Sequence, residues 1–528
     1  MRFRPTLPDD VRWPEDALPA GWRTAMDRLT TYLVGRVQAG GVYDPCHSRV
    51  LESALALALL RGRPEYAEQA ERIVGYLERN RAAAHPLEQV AVAAACGESA
   101  DRLALDFDVL IAQAPEFTGR RKRAFFEALL IACGLQLGAD GEPDEASFSN
   151  AGLHPWAEVQ TTAVKLIWAT VPGAKCQAGQ PDVELLLATQ GRDGLWEGNL
   201  LVHLSVLHAL HRLGGHEDVV RAGVERFLAH QRPDGGIPFF TDTDTWCTAT
   251  AGVALLAAGV SEDVVRAVAD NLVKRQKPNG GWSVTDISEV TDIDDTSVTL
   301  ELLQTLGDPA HKQAVDSARQ TVLALRSPDG GFPTYIVGAP SEASMTAAAI
   351  NGLTCAPPQD PAVLTDALAY LAGQQRPDGT FPPDWSASRF HTIFRAVLAA
   401  SHFDVPAAHE LRAKALDHVL RSQHTNGGWG QQPGSPSDPV STAYALIALC
   451  HQPDPRPVAA GIAYLMAHQD VKGSIDSISD SIGPRPFVFR IPVLSDIFTL
   501  LAFGHVSHRM ALIPAQVTEE PAPTSARP

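Results

Sequence analysis

The sequence predicts an all-α protein built from stacked helical hairpins, and three observations carry that prediction. Apolar residues recur at i, i+3, i+4 and i+7 in segment after segment, as in 49–62 (RVLESALALALLRG), 159–169 (VQTTAVKLIWA) and 263–276 (DVVRAVADNLVKRQ). That spacing lays one apolar stripe along a helix. Many of these segments stop at Gly or at Pro-Asp-Gly, which end helices and turn the chain. Alternating apolar patterns of the kind that mark strands are scarce.

A repeat organises the helices. Its form is Gln, three residues, Gly, one residue, then a bulky apolar side chain. The copies are Gln190/Gly194/Trp196, Gln231/Gly235/Ile237, Gln276/Gly280/Trp282, Gln375/Gly379/Phe381, Gln423/Gly427/Trp429 and Gln469/Gly473/Ile475. A seventh, Arg326/Gly330/Phe332, carries Arg in place of Gln. They start 41 to 50 residues apart, a period that one helical hairpin fills. The Gly residues permit the turn. The Gln can bond neighbouring backbone, and the bulky side chain can pack on the next hairpin. The expectation for nearly all of these residues is architectural.

The chain has 528 residues, more than one ordinary core uses, so two or more domains are expected. Lys+Arg number 43 against 61 Asp+Glu, a formal net charge of −18. That balance argues against nucleic acid as a partner, because phosphate backbones need a basic face. It also argues against charge-driven docking on anionic membranes. No stretch reaches the ~18 apolar residues that a transmembrane helix needs. Seven dispersed cysteines form no C-x-x-C pair and suggest free thiols in a reducing compartment. The N-terminal stretch has no apolar signal core. The expected location is the cytoplasm. Residues 511–528 are rich in Pro and lack periodicity, and a disordered tail is expected there.

Chemistry concentrates beside the third repeat, in GGWSVTDISEVTDIDDTSVTLELL. Asp292, Asp294 and Asp295 fall where a helix begins, with Thr291 or Asp292 as its N-cap. One or two acids there would serve capping and the helix dipole. Three within four residues exceed that need. Mutual repulsion opposes ionising all three, so at least one should keep its proton, and a neutral carboxyl is a proton donor. A calcium or magnesium site is the other chemistry open to clustered carboxylates.

DIDDT (292–296) resembles the D-x-D-D motif of the bacterial class II terpene cyclases, which are copalyl diphosphate synthase-like and more distantly related to squalene–hopene cyclases. The seven repeats resemble that superfamily's QW repeats. Further similarity lies in 335–353, 382–399 and 483–505, with a fainter match at 40–59. The resemblance implies two α/α-barrel (toroid) domains, β and γ, with the active site between them. Residues 1–36 would hold an N-terminal segment and the first β-domain helix, 37–215 the γ domain, and 216–510 the rest of β. The class I metal motif D-D-x-x-D is not found, so ionisation of a diphosphate is not expected.

The activity implied is protonation of the terminal alkene of a linear isoprenoid diphosphate, followed by ring closure with the diphosphate retained. Geranylgeranyl diphosphate is the favoured substrate, giving a labdane; farnesyl diphosphate, giving a drimane, is the alternative. A squalene-type cyclase, a non-catalytic toroid binding protein and a zinc prenyltransferase subunit are the competing expectations. By the motif match Asp294 is the general acid, tuned by Asp292 and Asp295. Cations need aromatic faces, and Trp282 and Trp385 are preferred, with Phe332, Tyr335, Trp246 and Phe390 as further candidates. Arg485 and Arg490 are expected at the diphosphate. Magnesium (Mg2+) is the expected cofactor, with Glu142 and Glu145 of GEPDEASF, which also holds Asp144, and Glu158 as candidate ligands. Plant relatives end the reaction with a His–Asn pair, but the Asn position corresponds here to Phe239. His154, His203, His208 and His391 are the remaining candidates for a terminating base. A homodimer is left open.

Overall fold

A computed structural model of the protein describes residues 13–98, 105–112, 119–138, 141–191, 194–355 and 361–511. The expected tail lies outside the described residues from position 512 on. Among the described residues the chain is helical, with three two-stranded ribbons of two residues per strand. No described helix is long and apolar enough to cross a membrane.

The helices are of two kinds, and their sequences explain why. Pro439–Leu449 (PVSTAYALIAL) is buried all round, as its near-absence of charge requires. Glu262–Lys274 (EDVVRAVADNLVK) buries only Val265, Val268, Ala269 and Leu272, one stripe at helical spacing. The first kind forms inner rings and the second the outer sleeve.

In the C-terminal half, Asp244–Ala257, Ile293–Leu306, Ala343–Leu353, Phe390–Ala400, Pro439–Leu449 and Val493–Ala511 pack each on the next, and the last packs on the first. This closes an α/α barrel. Each inner helix packs on an outer one, and Trp22–Arg36 serves Val493–Ala511. Trp22–Arg36 therefore completes a barrel whose other members begin some 200 residues later. In the N-terminal half, Val50–Leu60, Pro86–Cys96, Gly119–Cys133, Pro155–Ala169 and Leu200–Leu213 form a smaller closed ring. Glu217–Leu228 packs on Leu200–Leu213.

The repeat Gln residues stitch the barrel. Gln276 Nε2 donates to Gly280 O within its own turn and to Ala314 O of the following outer helix, both at 2.8 Å. Gln423 does the same to Gly427 O and Pro457 O. Gln469 reaches Gly473 O and, across the seam, Ala25 O at 2.9 Å. Gly280 is required here: its φ is +89°, and a Cβ would lie 2.8 Å from Ser317 O.

Candidate active site

The helix Ile293–Leu306 begins at Asp292, whose Oδ1 accepts from Asp295 N at 2.8 Å. Trp282 fixes this turn through its backbone. Its carbonyl accepts from Asp292 N at 3.0 Å, and its N–H donates to Thr296 Oγ1 at 3.0 Å. Asp292 and Asp295 are buried, while the Asp294 side chain keeps 16% of its surface exposed. All three line a cavity of about 560 Å³ between the barrels. Burial pushes the Asp292 carboxyl up to about 7. Burial, reinforced by the Asp292 charge, holds Asp295 well above the carboxylate range.

Asp294 has a partner that the sequence did not disclose. Arg395, itself 1% exposed, donates from Nη1 to Asp294 Oδ1 at 2.6 Å. Its guanidinium also lies 5.7 Å from the Trp246 ring centre. Its Nε and Nη2 are buried without hydrogen-bond partners. The bond to Arg395 fixes the orientation of Asp294 at the cavity wall.

Aromatic rings form the wall. Tyr335 stacks on His154 at 4.3 Å and meets Trp385 edge-on at 6.1 Å. Trp156, Phe239, Phe240, Phe489 and Phe498 also line the space. At one end three cations gather. Lys122 Nζ donates to Arg485 O at 3.0 Å, Arg121 lies beside it, and the Arg485 guanidinium sits 4.8 Å from the Trp385 ring centre. Burial and the neighbouring Arg485 and Arg121 charges push the Lys122 ammonium down to about 7. Arg485 also pairs with Glu342 at 2.8 Å. An anion placed among these groups would relieve their repulsion.

The structure brings together Asp292, Asp294, Asp295, Tyr335, Trp385, Trp246 and Arg485, and it corrects other expectations. Trp282 is fully buried away from the cavity, its Nε1 donating to Leu272 O at 2.7 Å, because a repeat aromatic faces its own hairpin. Phe332 and Phe390 are equally buried outside the cavity lining. Arg490 bonds Asp476 instead of reaching the cations. His203 and His208 bond the Gly223 and Leu55 carbonyls within the N-terminal barrel.

The candidate magnesium ligands do not converge. Both Glu142 oxygens accept backbone N–H groups, from Lys175 and Cys176. Glu145 is exposed, Asp144 caps a turn at Ser147, and neither Glu142, Glu145 nor Glu158 lines the cavity. Among the described residues no three His, Cys, Asp or Glu side chains form a metal-binding group. These residues do not fit a resident ion. The residues that sequence reasoning missed are Arg395, Arg121 and Lys122. The first was detectable as the one arginine in the apolar helix FHTIFRAVLAA, the others as the basic run GRRKR that opens the helix Gly119–Cys133.

Residues 197–382 match the family model for the prenyltransferase alpha-alpha toroid domain, and 337–508 match that for the squalene-hopene cyclase C-terminal domain. The chain is 36% identical to a drimenyl diphosphate synthase of Streptantibioticus cattleyicolor, covering 93% of this chain and 96% of that protein. It is also 36% identical to a drimenyl diphosphate synthase of Streptomyces showdoensis, covering 92% and 95%. In fold it is similar to the ent-copalyl diphosphate synthase of Streptomyces platensis, with a TM-score of 0.59 at 17% identity over 92% of this chain and 100% of that one. Full-length identity at this level, joined to paired barrels with an acid cluster between them, establishes that the chain belongs to the class II terpene cyclase family.

Proposed function

We propose that the chain cyclises farnesyl diphosphate to a drimane-type bicyclic diphosphate, with Asp294 as the proton donor. The observation that carries this choice of substrate is the match over more than nine-tenths of the chain to two drimenyl diphosphate synthases. It displaces the C20 substrate favoured from the sequence.

The acids and the cations line the same cavity. Ile293 N, beside the acids, donates to Thr334 O at 2.9 Å. Thr334 Oγ1 accepts from Trp385 Nε1 at 3.2 Å, and the Trp385 ring lies under Arg485. Three successive contacts thus connect the acid cluster to the cations. In a drimane the diphosphate-bearing carbon is attached directly to the second ring. In a labdane a four-carbon spacer intervenes.

Asp294 gives its proton to the terminal alkene carbon, and the alkene electron pair forms the new C–H bond. Two further alkenes close two rings. An alkene is so weak a base that the donor must be a strong acid, correctly placed and dry. Arg395 holds Asp294 in place, and Asp292 and Asp295, both raised by burial, are the neighbouring carboxyls that can resupply its proton. Trp385, Tyr335 and Trp246 offer faces to the migrating positive charge without a nucleophilic atom. Arg121, Lys122 and Arg485 hold the diphosphate. Squalene, lacking a diphosphate, would bring no anion to Arg121 and Lys122.

The test is parallel incubation of the purified protein with farnesyl and geranylgeranyl diphosphates, then phosphatase treatment and mass spectrometry. A bicyclic C15 alcohol at the higher kcat/KM is expected. A bicyclic C20 alcohol, with no cyclic C15 product, would overturn the choice of substrate.

A further inference from the structure

On the same helix as Arg395, four residues earlier, stands a histidine that initiation does not use. His391 Nδ1 lies 2.7 Å from Asp384 Oδ2. That carboxylate is fully committed: it also accepts from Thr392 Oγ1 at 2.7 Å and from Ser386 N at 2.9 Å. Both residues are buried, Asp384 at 4% exposure and His391 at 5%, and His391 lines the cavity. Because Asp384 only accepts, Nδ1 must carry a hydrogen, which leaves Nε2 as the ring nitrogen that can take up a proton from the cavity. The rings of Phe394, Tyr444 and Phe498 meet the imidazole edge-on at 5.6, 5.2 and 6.5 Å and fix its plane. A carboxylate that fixes the tautomer of a base is the arrangement expected of a working proton acceptor.

We infer that His391, held by Asp384, removes the proton that ends the cyclisation. The inference rests on the bicyclisation proposed above. Side chains four apart on a helix have Cβ atoms about 5–6 Å apart. That is the scale of a fused bicycle, so one helix, Phe390–Ala400, holds the acid through Arg395 at one edge of the product and the base at the other. The bonds balance. A C–H bond beside the final cation breaks, its electron pair becomes the new C=C bond, and the proton passes to Nε2. The imidazolium formed is balanced by Asp384. Over the cycle one proton leaves Asp294 and one arrives at His391, so the product is an isomer of the substrate. Other polar groups nearby are worse placed. The Asp480 carboxylate already accepts from Ser386 Oγ, Ser388 N and Tyr444 Oη. His154 is pushed down to about 4 by burial and lies against Tyr335.

The test compares the wild-type protein with His391→Gln and Asp384→Asn on farnesyl diphosphate. The readouts are total bicyclic product, the ratio of alkene to hydroxylated bicycle, and the melting temperature. Both variants are expected to keep consuming substrate, at a reduced rate, while the alkene yields to water-captured alcohol or to isomeric alkenes as the main product. Asp384→Asn keeps the ring in place and alters only its tautomer, so it serves if His391→Gln unfolds. An unchanged product ratio in either folded variant would overturn the assignment. So would loss of all bicyclic product from both, since initiation would then depend on His391. If the wild-type protein makes no bicycle from either diphosphate, the proposed function fails, and the base falls with it.

Discussion

Two turns of the C-terminal barrel share one architecture and differ in chemistry. In the turn at 276–296, Trp282 Nε1 donates to Leu272 O, Trp282 N to Thr296 Oγ1, and Asp292 caps the helix through Asp295 N. In the turn at 423–442, Trp429 Nε1 donates to Val419 O, Trp429 N to Thr442 Oγ1, and Asp438 caps through Ser441 N. The Gln stitches also correspond. What differs is the pair after the cap: Asp294-Asp295 in one, Val440-Ser441 in the other. Asp292 is thus the residue that every such turn can use, and the two acids after it are the addition. The scaffold sets the place, and two side chains supply the proton.

The largest expected break in this comparison is Asp294→Asn. It should lower cyclisation by about 10²–10⁴-fold, the usual worth of a positioned acid, with the melting temperature little changed. Product assays with farnesyl diphosphate check it. Equal activity in that variant would make the two turns chemically alike.

Lys122→Ala, at the far end of the cavity, should cost less. Loss of a charged hydrogen bond to phosphate is worth about 1.5–3 kcal/mol, or roughly 10–100-fold, and should appear mainly in KM. A fall confined to kcat would place Lys122 in the chemistry instead.

The pH profile sharpens the contrast further. Asp292 is raised from 3.8 to about 7, so the native cluster holds protons that an unfolded chain would release. Activity should decline on the alkaline side of about 7, by up to tenfold per pH unit. Folding stability should fall in the same direction, as pH rises from the unfolded value of 3.8 through about 7. Asp384 has the opposite sign. Its carboxyl is lowered to about 2: against burial act His391 first and then the hydrogen bonds from His391, Thr392 and Ser386, and its contribution is lost only as pH falls from 3.8 through that value. Asp294→Asn should move the kinetic limb and leave most of the stability slope.

The smallest effect should come from Gln423→Ala. It removes two hydrogen bonds to backbone carbonyls, each worth about 0.5–1.5 kcal/mol. The melting temperature should drop by a few degrees with kcat and KM unchanged. Gln276→Ala should destabilise equally, but with a kinetic cost, because its turn carries the acids.

The barrel was legible because its period is written in the sequence. Gly, Gln and the bulky apolar residue recur where backbone geometry requires them, and a helix start announces the acid cluster. The site beyond those acids was legible only in part, in Tyr335, Trp385, Trp246 and Arg485. Trp282 and Trp385 look alike in sequence, yet one packs inside its own hairpin and the other faces the cavity. Arg395 and Asp294 stand 101 positions apart, and no local pattern reports that they touch. Glu142 looked like a ligand until its oxygens were found occupied by the amides of Lys175 and Cys176.

The bond from Gln469 to Ala25 spans 444 positions of chain. During synthesis Trp22–Arg36 emerges first, but its seat exists only once Val493–Ala511 has been made. An entire second ring is translated in between. Trp22–Arg36 therefore cannot take its seat until the whole chain has been made, and until then the C-terminal barrel lacks one outer helix at its seam.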